Sequence, residues 1–219
     1  MKVKERMTRD VKTVGMDTSL TDAFKIMKES KIRRLPVMEK GKLVGIVTLS
    51  DLNHAAPSSA TTLSIHELNY ILVKTKIKDI LPKKQNLITI SSDSYIETAA
   101  KVMRQNNVGA LPVIDDGKLV GIVTETDMFD ALIDILGVTK MHSRIDISAV
   151  DRPGSLAEIV NIIAKKGVNI INSVVYEQKN HEFKIILRIE TTNCDIIVDE
   201  INKAGYKVES VIVRREGEL

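Results

Sequence analysis

The chain has 219 residues, of which 43% are hydrophobic and 28% are charged, so it can bury a core and has the composition of a globular protein. Its formal net charge of +3 is too small to indicate nucleic-acid binding by itself. No stretch approaches the roughly 20 apolar residues that span a bilayer, and the first residues have no apolar core of the secretory type. Because Cys194 is the one cysteine, an internal disulfide framework is excluded and a cytoplasmic location is expected.

The charge is unevenly distributed along the chain. Residues 1–76 contain 14 Lys and Arg against 8 Asp and Glu, residues 77–142 contain 7 against 9, and residues 143–219 contain 11 against 12. An anionic ligand is therefore expected to prefer the first third. The four Tyr and three Phe are too few to indicate base-stacking platforms for single-stranded nucleic acid.

A duplicated unit occupies the first two thirds of the chain. Residues 31–52 read KIRRLPVMEKGKLVGIVTLSDL and residues 107–128 read NVGALPVIDDGKLVGIVTETDM, with 12 of 22 positions identical at an offset of 76. Unrelated sequences of average composition would share roughly one or two. Nothing after about residue 140 repeats this pattern.

Each repeat is predicted to follow the order β-α-β-β-α. A short strand (Val11–Val14 or Leu87–Ile90) precedes a helix with apolar residues on one face. Two strands joined by a Gly-containing turn follow, and a second helix begins near Asp51 or Asp127. An insertion after the first repeat starts with a Pro/Ser/Thr-rich loop and continues with a helix whose apolar face is formed by Ile65, Leu68, Ile71 and Leu72.

The last third has a different pattern of apolar residues and turns, which predicts the order β-α-β-β-α-β of a ferredoxin-like fold. The fold class is therefore α+β, with two β-α-β-β-α repeats and a C-terminal β-α-β-β-α-β domain. The expected boundaries are repeat one at 1–60, a linker with the inserted helix at 61–76, repeat two at 77–136, a linker at 137–142 and the last domain at 143–219.

The motif G-I-V-T-x-x-D occurs twice, at Gly45 to Asp51 and at Gly121 to Asp127. One interpretation is purely structural, because Thr-x-x-Asp resembles a helix-capping pattern. The other is functional: a helix N-terminus offers free N–H groups to a phosphate, and a carboxylate beside it can accept hydrogen bonds from a ribose diol. The motif alone leaves both interpretations open.

A second candidate part of each site precedes the motif. It reads Arg33-Arg34-Leu35-Pro36 in repeat one and Gly109-Ala110-Leu111-Pro112 in repeat two. A proline fixes an extended chain and has no N–H, so nearby carbonyl groups stay available to an adenine amino group. Alternatively, each proline only begins a strand.

Both repeats resemble cystathionine-β-synthase (CBS) domains, and the pair resembles the tandem arrangement called a Bateman module, over about residues 1–136. In that family the pair forms clefts for adenosine nucleotides (AMP, ADP or ATP) or for S-adenosylmethionine. The resemblance implies that Thr48 and Thr124 contact phosphate and that Asp51 and Asp127 hold the ribose. It also implies that the adenine lies against these residues, grouped by repeat: Val11, Thr13 and Pro36, or Leu87, Thr89 and Pro112.

The two copies differ where a phosphate would be read. Arg33 and Arg34 of repeat one can hold a phosphate bidentately, whereas Gly109 and Ala110 of repeat two cannot. We therefore expect the first cleft to prefer phosphorylated ligands and the second to take adenosine, S-adenosylmethionine or nothing. The alternative is that both arginines are solvated surface charges.

The C-terminal third resembles an ACT domain, a module that senses small molecules. The matching residues are the turn DRPGSL at 151–156 and the segment GVNI at 167–170. In amino-acid-binding members these segments hold the effector at a subunit interface, which implies roles for Asp151, Gly154 and Asn169. The alternative is that Pro-Gly only makes a turn and that the domain only dimerises.

Two CBS repeats followed by one ACT domain resemble the AcuB-type family of acetoin utilisation proteins, which has a regulatory role. Catalysis is not indicated, because the four histidines are scattered, no metal or phosphate-loop motif is present, and a lone Cys194 is usually passive. We expect a homodimer that binds an adenosine nucleotide, with no catalytic cofactor, no metal and no membrane or nucleic-acid partner; the target protein is unidentified. A constitutive dimeric scaffold without ligand and an S-adenosylmethionine sensor are the alternatives.

Overall fold

The protein is described here from a computed structural model that covers residues 1–57, 64–82, 85–139, 141–150, 152–177 and 182–215. Most of the predicted loop of the insertion lies outside these ranges. Asp151 also lies outside them. The chain divides into two compact units, a first unit at Met1–Phe129 and a second unit at Asp130–Leu219. Each unit is built around its own apolar core.

Repeat one contains a three-stranded sheet in the order β1-β2-β3, packed with two helices. The elements are β1 (Val14–Gly15), α1 (Leu20–Glu29), β2 (Arg34–Glu39), β3 (Lys42–Thr48) and α2 (Leu49–Ala55). Helix α1 begins where the Ser19 side chain accepts a hydrogen bond from the Asp22 amide, and its buried face carries Leu20, Ala23 and Met27. These residues pack against Leu35 and other buried residues of the sheet.

Repeat two has the same order, with α5 (Ile96–Asn106), β4 (Ala110–Asp115), β5 (Lys118–Thr124) and α6 (Glu125–Leu136). Between the repeats lie the predicted inserted helix, α3 (Ile65–Lys74), and a short helix that was not predicted, α4 (Ile77–Ile80). The predicted first strands need correction. In repeat one the strand is Val14–Gly15 rather than Val11–Val14, and in repeat two only Ile90 forms a bridge, to Val113.

These first strands are short because the segment before each of them pairs with the other repeat. Thr8 exchanges two backbone hydrogen bonds with Ile122 on the edge of β5, at 2.9 and 3.0 Å. At the equivalent edge of β3, Ile46 is bonded by the side-chain amide of Gln85, which accepts from the Ile46 amide (2.7 Å) and donates to its carbonyl (3.1 Å). The two repeats therefore exchange their leading segments.

The glycine of each G-I-V-T motif makes this exchange possible. A Cβ atom at Gly121 would lie 2.6 Å from Met7 Sδ and 3.1 Å from the Thr8 carbonyl oxygen. At Gly45 it would lie 2.7 Å from both terminal methyl carbons of Leu81. The leading segments can approach the strand edges only because these positions lack a side chain.

We expect Gly121→Ala to lower the free energy of unfolding of the first unit by about 1–3 kcal/mol, because the added methyl group overpacks the Met7–Thr8 segment. Gly15→Ala is the matched control, since a Cβ there meets its nearest neighbours at 3.9 Å and no positive φ is involved. Denaturant titration of the full chain measures both. Equal stability of the two variants would contradict the close-approach explanation.

The second unit is a four-stranded antiparallel sheet in the order β7-β8-β6-β9, with two helices on one face. Its elements are β6 (His142–Val150), α7 (Ser155–Lys165), β7 (Ile170–Glu177), β8 (Glu182–Ile189), α8 (Asp195–Lys203) and β9 (Lys207–Arg214). Ile145, Ile147, Leu187 and Ile189 alternate towards the helices and are buried against Ile159 and other apolar helix residues. The predicted β-α-β-β-α-β order is confirmed.

Candidate functional site

The candidate site is a cleft of about 570 Å³ in the first unit, lined by both repeats. This volume lies within the usual range of small-molecule sites. Repeat one and its leading segment contribute Asp10, Val11, Lys12, Lys31, Arg33, Arg34 and Pro36, and repeat two contributes Ile122, Thr124, Glu125 and Asp127. The cleft therefore combines cationic side chains from one copy with the Thr-x-x-Asp motif of the other.

This composition corrects the expected grouping of residues by repeat. Val11, Arg33, Arg34 and Pro36 were expected to share a cleft with Thr48 and Asp51, but they share it with Thr124 and Asp127. The cause is the exchange of leading segments: residues 8–14 run from the edge of β5 to β2, so the floor of the cleft joins the two repeats.

The remaining predicted residues do not line this cleft. Thr13 is exposed just before β1, while Thr48 and Asp51 stand at the start of α2. The others belong to repeat two: half-buried Leu87, exposed Thr89, and Ala110 and Pro112, which are buried in β4. The Pro112 carbonyl accepts a hydrogen bond from the Ile90 amide at 3.1 Å, so that carbonyl already has a partner.

Asp127 caps its own helix. Its Oδ2 atom accepts from the Thr124 amide at 2.7 Å and from the Thr124 hydroxyl at 2.8 Å. Asp51 makes the same two bonds with Thr48, at 2.8 and 2.7 Å. The capping interpretation thus describes both motifs, but within the described chain it occupies one oxygen of each carboxylate. The Oδ1 atom of Asp127 stays available to a ligand hydroxyl group.

The cationic side of the cleft is formed by Lys12, Lys31, Arg33 and Arg34. Lys12 is paired with Asp10 at 2.7 Å, whereas the other three make no ion pair within 4 Å in the parts of the chain that the structure describes. Arg34 reaches across to repeat two, since a Cβ atom at Gly109 would lie 2.3 Å from its Nη2 atom. The same Cβ atom would lie 2.6 Å from Glu125 Oε2, so this carboxylate is the acidic neighbour of Arg34 in the cleft. Lys31, Arg33 and Arg34, which have no ion pair among the described residues, can together meet an anion beside Thr124.

Sequence reasoning missed Lys12, Lys31, Glu125 and Ile122 as lining residues. Lys31 follows the end of α1 with φ of 53°, the left-handed conformation that its equivalent Asn107 also adopts. Because lysine rarely adopts this conformation, the residues around Lys31 did not indicate that it would turn towards the cleft. The basic excess of the first third was the available signal, and it does predict an anion-binding region.

The residues predicted for the second unit are spread along it: Gly154 precedes α7, Asn169 follows its other end, and Asp151 lies outside the described residues. Gly154 precedes α7 with φ of 96°, which explains why a glycine stands there. The Asn169 side-chain amide donates to Glu190 at 3.0 Å, so it already has a protein partner. Arg152 pairs with Glu158 at 2.9 Å, and Tyr206 donates to the same carboxylate. The hydrogen bond to Tyr206 and the charge of Glu158 raise the pKa of Arg152.

The described residues offer few other groups that could act in catalysis or metal binding. No group of three or more His, Cys, Asp or Glu side chains in the described ranges is placed to hold a metal ion. Cys194 is buried at the start of α8. Nor does any helix in the described portion have the length and hydrophobicity to cross a membrane.

Comparison with known proteins identifies both units. The CBS domain family model matches residues 3–58 and 77–134, and the ACT domain model matches residues 143–204. A CBS domain-containing protein of Dictyostelium discoideum is 40% identical over 136 residues, which cover 61% of this chain and 92% of that protein.

Three solved structures resemble the chain over about 61–64% of its length. A Vibrio cholerae protein assigned to acetoin utilization (AcuB) is 27% identical, with a TM-score of 0.52, and 94% of it is covered. The CBS domain pair of protein MJ0100, in complex with 5′-methylthioadenosine and S-adenosyl-L-methionine, is 30% identical with a TM-score of 0.50 and 98% coverage. CBSX2 in complex with AMP is 28% identical, with a TM-score of 0.51 and 97% coverage.

The two CBS matches fall on the two repeats and together span just over half of the 219 residues, and the ACT match falls on the β-α-β-β-α-β sheet. The expected resemblances to a CBS pair and to an ACT domain are both confirmed. The chain belongs to the CBS-domain family and carries a tandem CBS pair followed by an ACT domain.

Proposed function

We propose that this protein is a non-catalytic regulator that senses an adenosine nucleotide in the cleft of its CBS pair. The observation that carries the proposal is the meeting of Arg33, Arg34 and Lys31 with Thr124 and Asp127 around one cavity. The cations suit a phosphate, and the free oxygen of Asp127 suits a ribose hydroxyl. Solved CBS pairs with bound AMP or S-adenosyl-L-methionine support an adenosine ligand.

Between these two ligands, the charge of the cleft favours the phosphorylated one. AMP presents an anion to the three cations, whereas the sulfonium of S-adenosylmethionine adds another positive charge near them. AMP, ADP and ATP all satisfy this argument. S-adenosylmethionine is therefore the second candidate ligand.

Isothermal titration calorimetry of Arg33→Gln/Arg34→Gln tests the proposal. A hydrogen bond to a charged group contributes about 1.5–3 kcal/mol, so we expect AMP affinity to fall by roughly tenfold or more, while adenosine affinity stays unchanged. Lys40→Gln/Lys42→Gln removes the same charge from the exposed β2–β3 turn and serves as the control. An unchanged AMP affinity in the arginine variant would reject phosphate recognition by these side chains.

The alternative is a constitutive dimeric scaffold whose clefts hold no ligand. The two functions differ in thermal stability, because a ligand at 100 times its Kd adds about 2.7 kcal/mol to the folded state. A scaffold would show no melting shift with AMP, ADP, ATP or S-adenosylmethionine. Regulation additionally requires that the ligand bind two states of the protein with different affinities.

The homodimer, the cytoplasmic location and amino-acid sensing through Asp151, Gly154 and Asn169 remain predictions from the sequence. Glu190 already accepts a hydrogen bond from the Asn169 side-chain amide, so an effector at Asn169 would have to share or replace that contact. We place nucleotide sensing first because its cleft is preformed.

A further inference from the structure

The ACT sheet contains a buried arginine for which the described residues supply no ion-pair partner. Arg188 lies on β8 and is 6% exposed. Its neighbours Leu187 and Ile189 point into the core, so alternation along the strand places Arg188 on the sheet face opposite the helices. Directly beside it in register are Arg144 on β6 and Asn172 on β7.

Three polar atoms of this cluster are enclosed and have no hydrogen-bond partner in the part of the chain that the structure describes. They are Nε and Nη1 of Arg188 and Oδ1 of Asn172. The nearby carboxylate, Asp146, is already engaged, because Arg144 donates to its two oxygens at 2.7 and 3.0 Å. Burial and the charge of Arg144 lower the pKa of Arg188, against the opposing effect of Asp146. The protein therefore holds a guanidinium that its own carboxylates do not neutralise in the described chain.

The three atoms require two kinds of partner. The guanidinium needs an acceptor, and a negative one, because a buried charge without a counter-charge is strongly unfavourable. Asn172 Oδ1 needs a hydrogen-bond donor. The amide nitrogen of the same side chain already has a partner, because it donates to the Ile135 carbonyl at the end of α6 (2.9 Å). A water molecule could supply either hydrogen bond, but it would leave the charge uncompensated.

We propose that this sheet face is a binding site for a small carboxylate that carries a hydroxyl or similar donor on the neighbouring carbon. The carboxylate pairs with Arg188 and the donor bonds Asn172 Oδ1. The site is separate from the first turn around Gly154 and from the nucleotide cleft. The Asn172 amide nitrogen keeps its bond to the Ile135 carbonyl in this arrangement, because the ligand uses the Oδ1 atom.

Thermal melting of the full chain with three probes tests this site. Glycolate has both groups, acetate lacks the donor, and ethylene glycol lacks the carboxylate. We expect glycolate to raise the melting temperature most, acetate less, and ethylene glycol not at all. In Asn172→Ala the difference between glycolate and acetate should disappear.

Arg188→Met distinguishes a binding site from a structural role. It removes the buried charge at similar volume, so the ligand-free variant should melt at a higher temperature than the parent and show no shift with glycolate. Lys207→Met removes an exposed charge on β9 and should respond like the parent. A merely structural arginine would give a less stable variant, which would overturn the proposal.

Two further outcomes would also overturn it. Equal responses of the parent and Arg188→Met to glycolate would show that the probe acts elsewhere. A melting temperature that rises with protein concentration in the parent, but not in Arg188→Met, would assign the counter-charge to a second copy of the chain instead of a small molecule.

Discussion

Asp127→Ala is expected to weaken AMP binding at this cleft by roughly tenfold or more, because a hydrogen bond from a ribose hydroxyl group to the free carboxylate oxygen contributes about 1.5–3 kcal/mol. Asp127 lines the cleft beside Arg33 and Arg34, which belong to the other repeat. Calorimetric titration with AMP measures the change directly.

Asp51→Ala is the matched control, because Asp51 makes the same two capping bonds as Asp127 but lies outside this cleft. Loss of a helix cap costs about 0.5–2 kcal/mol, so both variants should lose similar stability while only one loses the high-affinity nucleotide site. Equal loss of AMP binding in both would show that the carboxylates act through the fold and not through the ligand.

Leu187→Ala should lower the free energy of unfolding of the ACT domain by about 2–5 kcal/mol, because Leu187 is fully buried at the centre of its core. The CBS pair has a separate core, so the stabilisation of the first unit by AMP should persist. Denaturant titration with and without AMP, analysed as two transitions, separates these effects.

Leu111→Ala is the complementary variant, since Leu111 is equally buried in β4 of the CBS pair. It should destabilise the first unit by a similar amount and leave the ACT transition unchanged. If either variant shifted both transitions equally, the two units would unfold as one cooperative body.

The elements that local pattern determines were predictable. Apolar spacing located α1, α5 and α7, and the repeat predicted that both copies share one order of elements. Pairing between distant segments was not predictable in this way. Nothing in the letters around Thr8 or Gln85 indicates that they bond Ile122 and Ile46, and this pairing decides which residues share the cleft.

Arg188 illustrates a second limit. Along β8 it alternates with buried leucine and isoleucine, so the sequence pattern predicts an ordinary solvated residue on the polar face of a sheet. Its burial depends on what covers that face, and the absence of a partner depends on Arg144 already engaging Asp146. Both facts require three strands and the end of a helix to be placed together.

Because residues 8–14 run from β5 to β2, the second motif lines a cleft whose cationic side comes from repeat one. A mutation that alters the cations after α1 therefore changes the surroundings of the second motif, and a mutation in the second motif changes the surroundings of Arg33 and Arg34. This cleft therefore depends on both repeats. One repeat expressed alone would supply only one side of this cleft.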